Sequence, residues 1–176
     1  MIFVSLGTHE QLFDRLIGEV NRLIENKIIR EEVFMQTGYR SNIDPVCEHE
    51  RFLSLEEMNT FMKKARVVIV HGGLGSIIQS FINSKVPIVV PRLARFGEHI
   101  DNHQILFSER LASEKKIIMV LDINELGNKI LNYDKELLRL GCSGDPRKDI
   151  EKRSRSFALK LEKISKELLN INGNDI

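Results

Sequence analysis

The sequence predicts an α/β fold built on a single doubly wound parallel sheet, and three observations carry that prediction. Apolar runs of strand length alternate with stretches of helical periodicity along the first 140 residues. The run Val67-Val68-Ile69-Val70 opens into a glycine-rich turn, His71-Gly72-Gly73-Leu74-Gly75-Ser76, which leads straight into an apolar-periodic stretch from Ile77 to Phe81. The run Pro87-Ile88-Val89-Val90-Pro91 leads in the same way into a polar loop. Neighbouring parallel strands whose carboxyl ends carry such loops are where open α/β sheets bind ligands.

Each element has its own signal. Residues 2–6 read as the first strand, and Phe13, Leu16, Ile17, Val20, Leu23 and Ile24 recur at helical spacing, predicting a helix over 10–26. A second strand is expected over 32–37, ended by Gly38, and a short third near 49–53. Ser54 and Glu57 form a capping box for a helix over 55–65. A strand at 67–71, a helix at 75–84, a strand at 87–90, a helix at about 100–113, a strand at 116–120 and a helix from Asp122 complete the alternation.

After residue 140 the texture changes. Gly141-Cys142-Ser143-Gly144-Asp145-Pro146 is turn-rich, and Pro146 suits the first turn of a helix running to about Asn170. Ile150, Phe157, Leu161, Ile164 and Leu168 line one face of it, while eight basic and five acidic residues between 145 and 170 cover the others. That face has three possible destinations: this domain, a partner subunit, or an anionic membrane surface. The division expected is a domain over 1–140 and a helical extension with a frayed tail over 141–176.

Composition sets the limits. A chain of 176 residues suits one domain with a substantial core. With 26 basic against 25 acidic residues, nothing points to nucleic acid as a partner. Cys47 and Cys142 lie far apart without metal-ligand spacing and read as reduced thiols with no role. The amino terminus starts as a strand, with no basic leader or cleavage site, and no apolar stretch reaches bilayer-spanning length. A cytoplasmic location is the expectation.

The two loops suggest a ligand. Gly72, Gly73 and Gly75 let the backbone approach an anion, and the helix that follows aims unpaired N–H groups and a partial positive charge at it. The same turn also occurs wherever a helix packs tightly on a sheet. In the second loop, Glu98, His99, Asp101, Asn102, His103 and Gln104 place six hydrogen-bonding side chains within nine positions, which suits a hydroxyl-rich ligand. Phosphate with hydroxyls suggests a nucleotide sugar. The first βα turn, Gly7-Thr8-His9-Glu10, lacks the Gly-x-Gly-x-x-Gly pattern of nicotinamide enzymes, and no Asp-x-Asp metal motif occurs.

The glycine turn, Val86-Pro87 to Val90-Pro91, Glu98 and Asp101-Asn102-His103-Gln104 together resemble the nucleotide-sugar domain of glycosyltransferase family 28, the Rossmann-like carboxyl-terminal half of a GT-B enzyme. The opening Ile2 to Gln11 is similar to the PssE-type soluble subunits of two-component bacterial exopolysaccharide and capsule glycosyltransferases, relatives of the soluble subunit of the dolichol-linked GlcNAc transferase. The resemblance extends to about residue 125. It implies that Gly73, Gly75 and Ser76 receive the diphosphate and that Gly7 and Thr8 approach it from the next strand. It further implies that Glu98 contacts ribose or donor sugar within the same substrate-binding loop as Asp101, and that His103 and Gln104 hold the hexose hydroxyls. Gln79 stands where relatives often carry a ribose-binding glutamate; it keeps hydrogen-bonding capacity without the charge, so either Glu98 takes over the ribose, the preferred reading, or affinity is weaker. His9 is the candidate catalytic base, with a suitable unperturbed pKa, and reads equally well as a structural histidine. His71 reads as a packed strand-end residue, and His49 and His99 receive no role.

The function so implied is the donor-binding, catalytic subunit of an inverting, metal-independent UDP-sugar glycosyltransferase acting on a lipid-linked oligosaccharide in exopolysaccharide or capsule synthesis. It uses no cofactor, and UDP-galactose or UDP-glucose is expected ahead of UDP-GlcNAc. A GT-B enzyme needs a second Rossmann-like domain, for which 176 residues leave no room. A membrane-anchored, acceptor-binding (PssD-type) partner is therefore expected to recruit the chain to the inner face of the membrane. The alternative is a non-catalytic nucleotide-sugar-binding regulatory module; a two-domain epimerase is disfavoured by length.

Overall fold

A computed structural model of the chain describes residues 1–39 and 41–141. Six strands and six helices follow in order: β1 (Ile2–Ser5), α1 (Asp14–Glu25), β2 (Val33–Gln36), β3 (Glu48–Glu50), α2 (Leu55–Lys64), β4 (Val67–His71), α3 (Leu74–Ile82), β5 (Ile88–Val90), α4 (His103–Ser113), β6 (Ile118–Met119), α5 (Leu126–Leu131) and α6 (Tyr133–Arg139). Short 3-10 turns at Ala94–Phe96 and Ile123–Glu125 precede α4 and α5. All strand pairs are parallel, in the order β3-β2-β1-β4-β5-β6. The expected doubly wound parallel sheet is present.

The period of two along each central strand divides the core. Ile2, Val4, Val67, Ile69, Ile88 and Val90 face one layer, which α1, α5 and α6 cover with Leu16, Ile17, Val20, Leu23, Leu126, Ile130 and Tyr133. Phe3, Val68, Val70 and Val89 face the other, covered by Met62 of α2, Ile77 and Phe81 of α3, and Leu111 of α4. Burial on both faces explains why these strands read as unbroken apolar runs. The edge strand β3 is instead polar and fully exposed, a composition that discourages edge pairing. Ser54 and Glu57 form the expected capping box on α2.

The strands expected near 49–53 and over 116–120 are shorter, at Glu48–Glu50 and Ile118–Met119, and three helices differ more. The helix expected from residue 10 starts only at Asp14, because residues 6–13 cross the sheet edge as a loop that buries Leu6 and Phe13. The helix expected from 100 starts at His103, and the one from Asp122 is broken into a 3-10 turn, α5 and α6. Cys47 is a half-buried free thiol whose pKa burial pushes up, away from reactivity. Cys142 and the helix expected over Pro146 to Asn170 lie outside the described residues. Among the described residues no helix is long and apolar enough to cross a membrane.

Two side chains set the shape of the sheet's carboxyl edge. Gln36, 3% exposed, accepts from Ser5 Oγ (2.8 Å) and Gly7 N (3.2 Å) through Oε1 and donates to Gly7 O and Arg51 O (both 2.9 Å) through Nε2. His71 ends β4 with its ring wedged between two turns: a Cβ at Gly7 or at Gly73 would overlap the imidazole. Gly7 also has φ +79°, so it needs glycine twice over. The His71 Nδ1 is buried and makes no well-formed hydrogen bond, and burial, aided by the Arg92 charge, pulls the imidazole down to about 4.

Two outcomes follow from this edge. Replacing Gln36 by leucine takes the Gln36 partner from Ser5 Oγ and from both backbone groups of Gly7, all buried, and is expected to lower stability by more than about 2 kcal/mol in urea denaturation. His71 binds a proton more readily unfolded (6.5) than folded (about 4), so its contribution is complete above its unfolded pKa and is lost as pH falls towards the folded value. The wild-type chain should lose about 2 kcal/mol from this source between pH 7.5 and 5, and His71→Asn should flatten that slope.

Candidate functional site

The sheet reverses its winding between β1 and β4, which are hydrogen-bonded neighbours: the chain moves outward to β2 and β3 on one side and to β5 and β6 on the other. Ligands of open α/β sheets bind at such a switch point, beyond the carboxyl ends. Here that edge is formed by the loops after β1, β4 and β5.

The glycine turn after β4 divides into architectural and open positions. A Cβ at Gly72 would lie 2.8 Å from Gln104 Cβ and 3.2 Å from Pro91 Cβ, and one at Gly73 would overlap His71, so both glycines serve packing. A Cβ at Gly75 would meet nothing within 4 Å. Gly75 lies in the first turn of α3, whose N-cap, Gly73, provides no side-chain cap, so the first-turn N–H groups of Leu74, Gly75 and Ser76 have no intrahelical partner. Thr8 is exposed beside Gly7, and Ser76 is partly exposed. These groups present amide donors to open space at a helix N-terminus, which favours an anion.

Behind it lies a group of charges that the sequence did not single out. Arg92, 1% exposed, donates through Nη1 to Gln11 O (2.7 Å), Leu12 O (3.2 Å) and Glu98 O (3.2 Å), and through Nη2 to Leu6 O (3.0 Å). Its backbone N–H donates to Gln104 Oε1 (3.1 Å). Arg15 of α1 forms a two-pronged pair with Glu98, 2.9 Å on each prong, and also donates to Pro91 O. Both guanidinium groups lie against the Phe13 ring, at 4.6 Å for Arg92 and 5.4 Å for Arg15. The available sequence signal was a basic residue set inside an apolar context, Val90-Pro91-Arg92-Leu93 and Phe13 to Leu16.

Glu98 is not placed as the ribose contact expected of it. It is 4% exposed, and its carboxylate is occupied by Arg15 and by the Leu93 N–H (2.9 Å). Its place is that of a latch between α1 and the loop after β5. Gln79 donates its amide to Asn59 Oδ1, which also accepts from Asn83 Nδ2 (2.7 Å). The Gln79 carbonyl oxygen and its second amide N–H are left to meet a hydroxyl. Asp101 accepts from the backbone N–H of His103 (3.0 Å) and pairs with His103 Nδ1 (2.8 Å) and His99 Nδ1 (3.1 Å), so it caps α4; the His103 N–H is the main reason its carboxyl is held below the usual range. His103 is highly exposed, at the rim. Gln104 uses Oε1 on Arg92, and its amide nitrogen makes no hydrogen bond among the described residues.

His9 is exposed after β1, its ring 4.9 Å from that of His99. Desolvation, then the Arg92 and His99 charges, lower its pKa, which keeps it neutral near pH 7. Its Nδ1 accepts the Gln11 N–H at 3.3 Å, a long bond that must be released if that nitrogen is to take a proton. Sequence reading gave His99 no role, yet it joins His9 to Asp101 along the rim.

Comparison with known proteins bears on the family and the fold. The model of the glycosyltransferase family 28 C-terminal domain matches residues 1–166. The UDP-N-acetylglucosamine transferase subunit ALG13 of Yarrowia lipolytica is 30% identical over 122 residues, covering 69% of this chain and 54% of that protein, so the chain spans about half the length of that relative. Among solved structures, the glycotransferase of kitacinnamycin superposes with a TM-score of 0.63 at 14% identity, over 92% of this chain and 42% of that one. The spinosyn forosaminyltransferase SpnP superposes with a TM-score of 0.58 at 16% identity, over 93% and 43%. At these identities the likeness is one of fold: a six-stranded parallel α/β sheet like that of GT-B glycosyltransferases, spanning less than half of either chain. On the match over residues 1–166, the chain belongs to the glycosyltransferase family 28 C-terminal domain family.

Proposed function

We propose that this chain is the donor-binding half of an inverting UDP-sugar glycosyltransferase, completed by a partner subunit that carries the acceptor half. The observation that carries the reading is the open α3 N-terminus at Gly75, set at the switch point beside a buried cation. Transfer with inversion needs a neutralised diphosphate leaving group, a base for the acceptor hydroxyl and a pocket for the acceptor. Fixed amide donors provide the first without a resident metal. Neutral His9, at the mouth, is the candidate base, with His99 and Asp101 beside it. Gln104 offers its free amide donor to a donor-sugar hydroxyl, with His103 at the same rim. Thr8, Ser76 and the Gln79 carbonyl complete the contacts proposed.

The acceptor pocket is assigned to the partner. Support comes from a 30% identical relative that is named as a transferase subunit. The finer parts of the proposal are a lipid-linked acceptor in exopolysaccharide or capsule synthesis and a membrane-anchored partner that holds the chain at the cytoplasmic face.

UDP added with a chelator should raise the melting temperature, and saturation at a hundredfold over Kd corresponds to about 2.7 kcal/mol. Gly75→Val should abolish that shift while leaving the melting temperature of the free chain close to wild type, because its side chain enters open space. No shift for the wild type at millimolar UDP would sink the donor-site reading. Gln104→Ala should weaken a UDP-sugar by roughly 0.5–1.5 kcal/mol more than UDP in calorimetric titrations. The purified chain should bind the donor yet transfer no sugar until a membrane fraction containing the acceptor-binding subunit is added; full turnover by the chain alone refutes the partner assignment, and a partner that restores nothing favours the non-catalytic module.

A further inference from the structure

We infer that Arg92 is the selectivity residue of this site: its buried guanidinium, with no carboxylate hydrogen-bonded to it, joins the β1 loop to the Glu98 loop, while its backbone N–H holds Gln104, and the charge biases the site towards ligands that carry a diphosphate. The inference rests on the donor-site reading and deepens it. Two arginines and one carboxylate make up the buried group. Both oxygens of Glu98 are committed, Oε1 to Arg15 and Oε2 to Arg15 and the Leu93 N–H. Arg92 hydrogen-bonds Glu98 only at its backbone carbonyl, and the Glu98 charge, already shared with Arg15, offsets the burial of the Arg92 guanidinium only in part. Its acceptors are four carbonyl oxygens, whose dipoles solvate the charge without cancelling it. One positive charge is left over behind the loops.

That charge is held away from water. Arg92 is 1% exposed, and Phe13, itself 1% exposed, lies against it. Burial lowers the guanidinium to about 10, so it remains protonated at neutral pH. An unpaired buried charge acts over longer range than an exposed one, because little solvent screens it. It lies next to the site: Nη2 bonds the Leu6 carbonyl, one residue before Gly7, which packs on His71, and His71 packs in turn on Gly73, the N-cap of α3. Among the described residues, Gln11 Oε1, Arg15 Nη1, His71 Nδ1 and Arg92 Nε are four of the five buried side-chain polar atoms without a partner. Incomplete polar pairing is thus concentrated around this one region. A diphosphate at the α3 N-terminus supplies the missing counter-charge.

A positioning role by itself would affect any ligand of the site, whereas a charge acts on the phosphates. Binding of UDP and of uridine to the full chain, by calorimetry and by NMR titration, separates the two. Arg92→Gln should weaken UDP roughly tenfold and change uridine by less than about twofold, the scale expected for one charge at intermediate dielectric. Arg92→Lys should retain most of the preference for UDP over uridine, although it loses carbonyl contacts. Glu98→Gln, which removes the one negative charge, should increase that preference severalfold. Equal losses of UDP and uridine across these variants, or an unchanged ratio in Glu98→Gln, overturn the inference and leave Arg92 as a structural staple. If Arg92→Gln does not fold, the ratio in Arg92→Lys and Glu98→Gln decides. If the wild-type chain binds neither ligand, the donor-site reading fails first, and the inference with it.

Discussion

Where parallel strands end together, their last amide and carbonyl groups leave the ladder together, and in this chain three buried side chains must satisfy those groups without closing the site. Gln36 takes both polar groups of Gly7 and the carbonyl of Arg51; Arg92 collects the carbonyls of Leu6, Gln11 and Leu12; Glu98 takes the N–H of Leu93. Each joins segments far apart in sequence. Because the groups are buried, leaving them unpaired is costly, so the loops are held by obligatory bonds rather than by apolar packing alone. The loops around the open N-terminus of α3 are fixed in this way.

The same device explains how the site combines rigidity with charge. His71 occupies the space between the β1 and β4 turns as a neutral ring, which spaces the two glycine loops without adding a second cation next to Arg92. Arg92 then acts as a charge that Glu98 offsets only in part. Glu98 neutralises Arg15 and draws α1 onto the β5 loop, so a residue that reads as a ligand contact is used to brace the loop that displays Gln104. Structural and recognition roles are distributed over neighbouring positions of one motif, and residue type does not reveal which is which.

The strands, their parallel order and the helices that cover them were legible because burial on both faces imposes continuous apolar runs and a 3.6-residue period on this part of the chain. The glycine-rich strand-to-helix junction on which the proposed anion site rests was legible as well. The start of α1 was misplaced because Leu6 and Phe13 are buried by a loop, and burial in a loop has the same apolar signature as burial in a helix. The break between α5 and α6 was missed for a similar reason, since both pieces keep their apolar face on the same core layer.

By itself, the sequence determined the fold class and pointed to the carboxyl edge of the sheet as the place to look for a ligand, because each depends on local periodicity or on a contiguous motif. Tertiary structure alone decided which glycine is open and which are packed, since Gly72 and Gly73 are constrained by Gln104, Pro91 and His71 while Gly75 faces empty space. It also decided that Glu98 is consumed by Arg15, 83 residues earlier in the chain, and that Arg92 is left without a hydrogen-bonded carboxylate. Ion pairing and steric exclusion are settled by which side chains the fold brings within a few ångströms of one another, and no spacing along the chain encodes that distance.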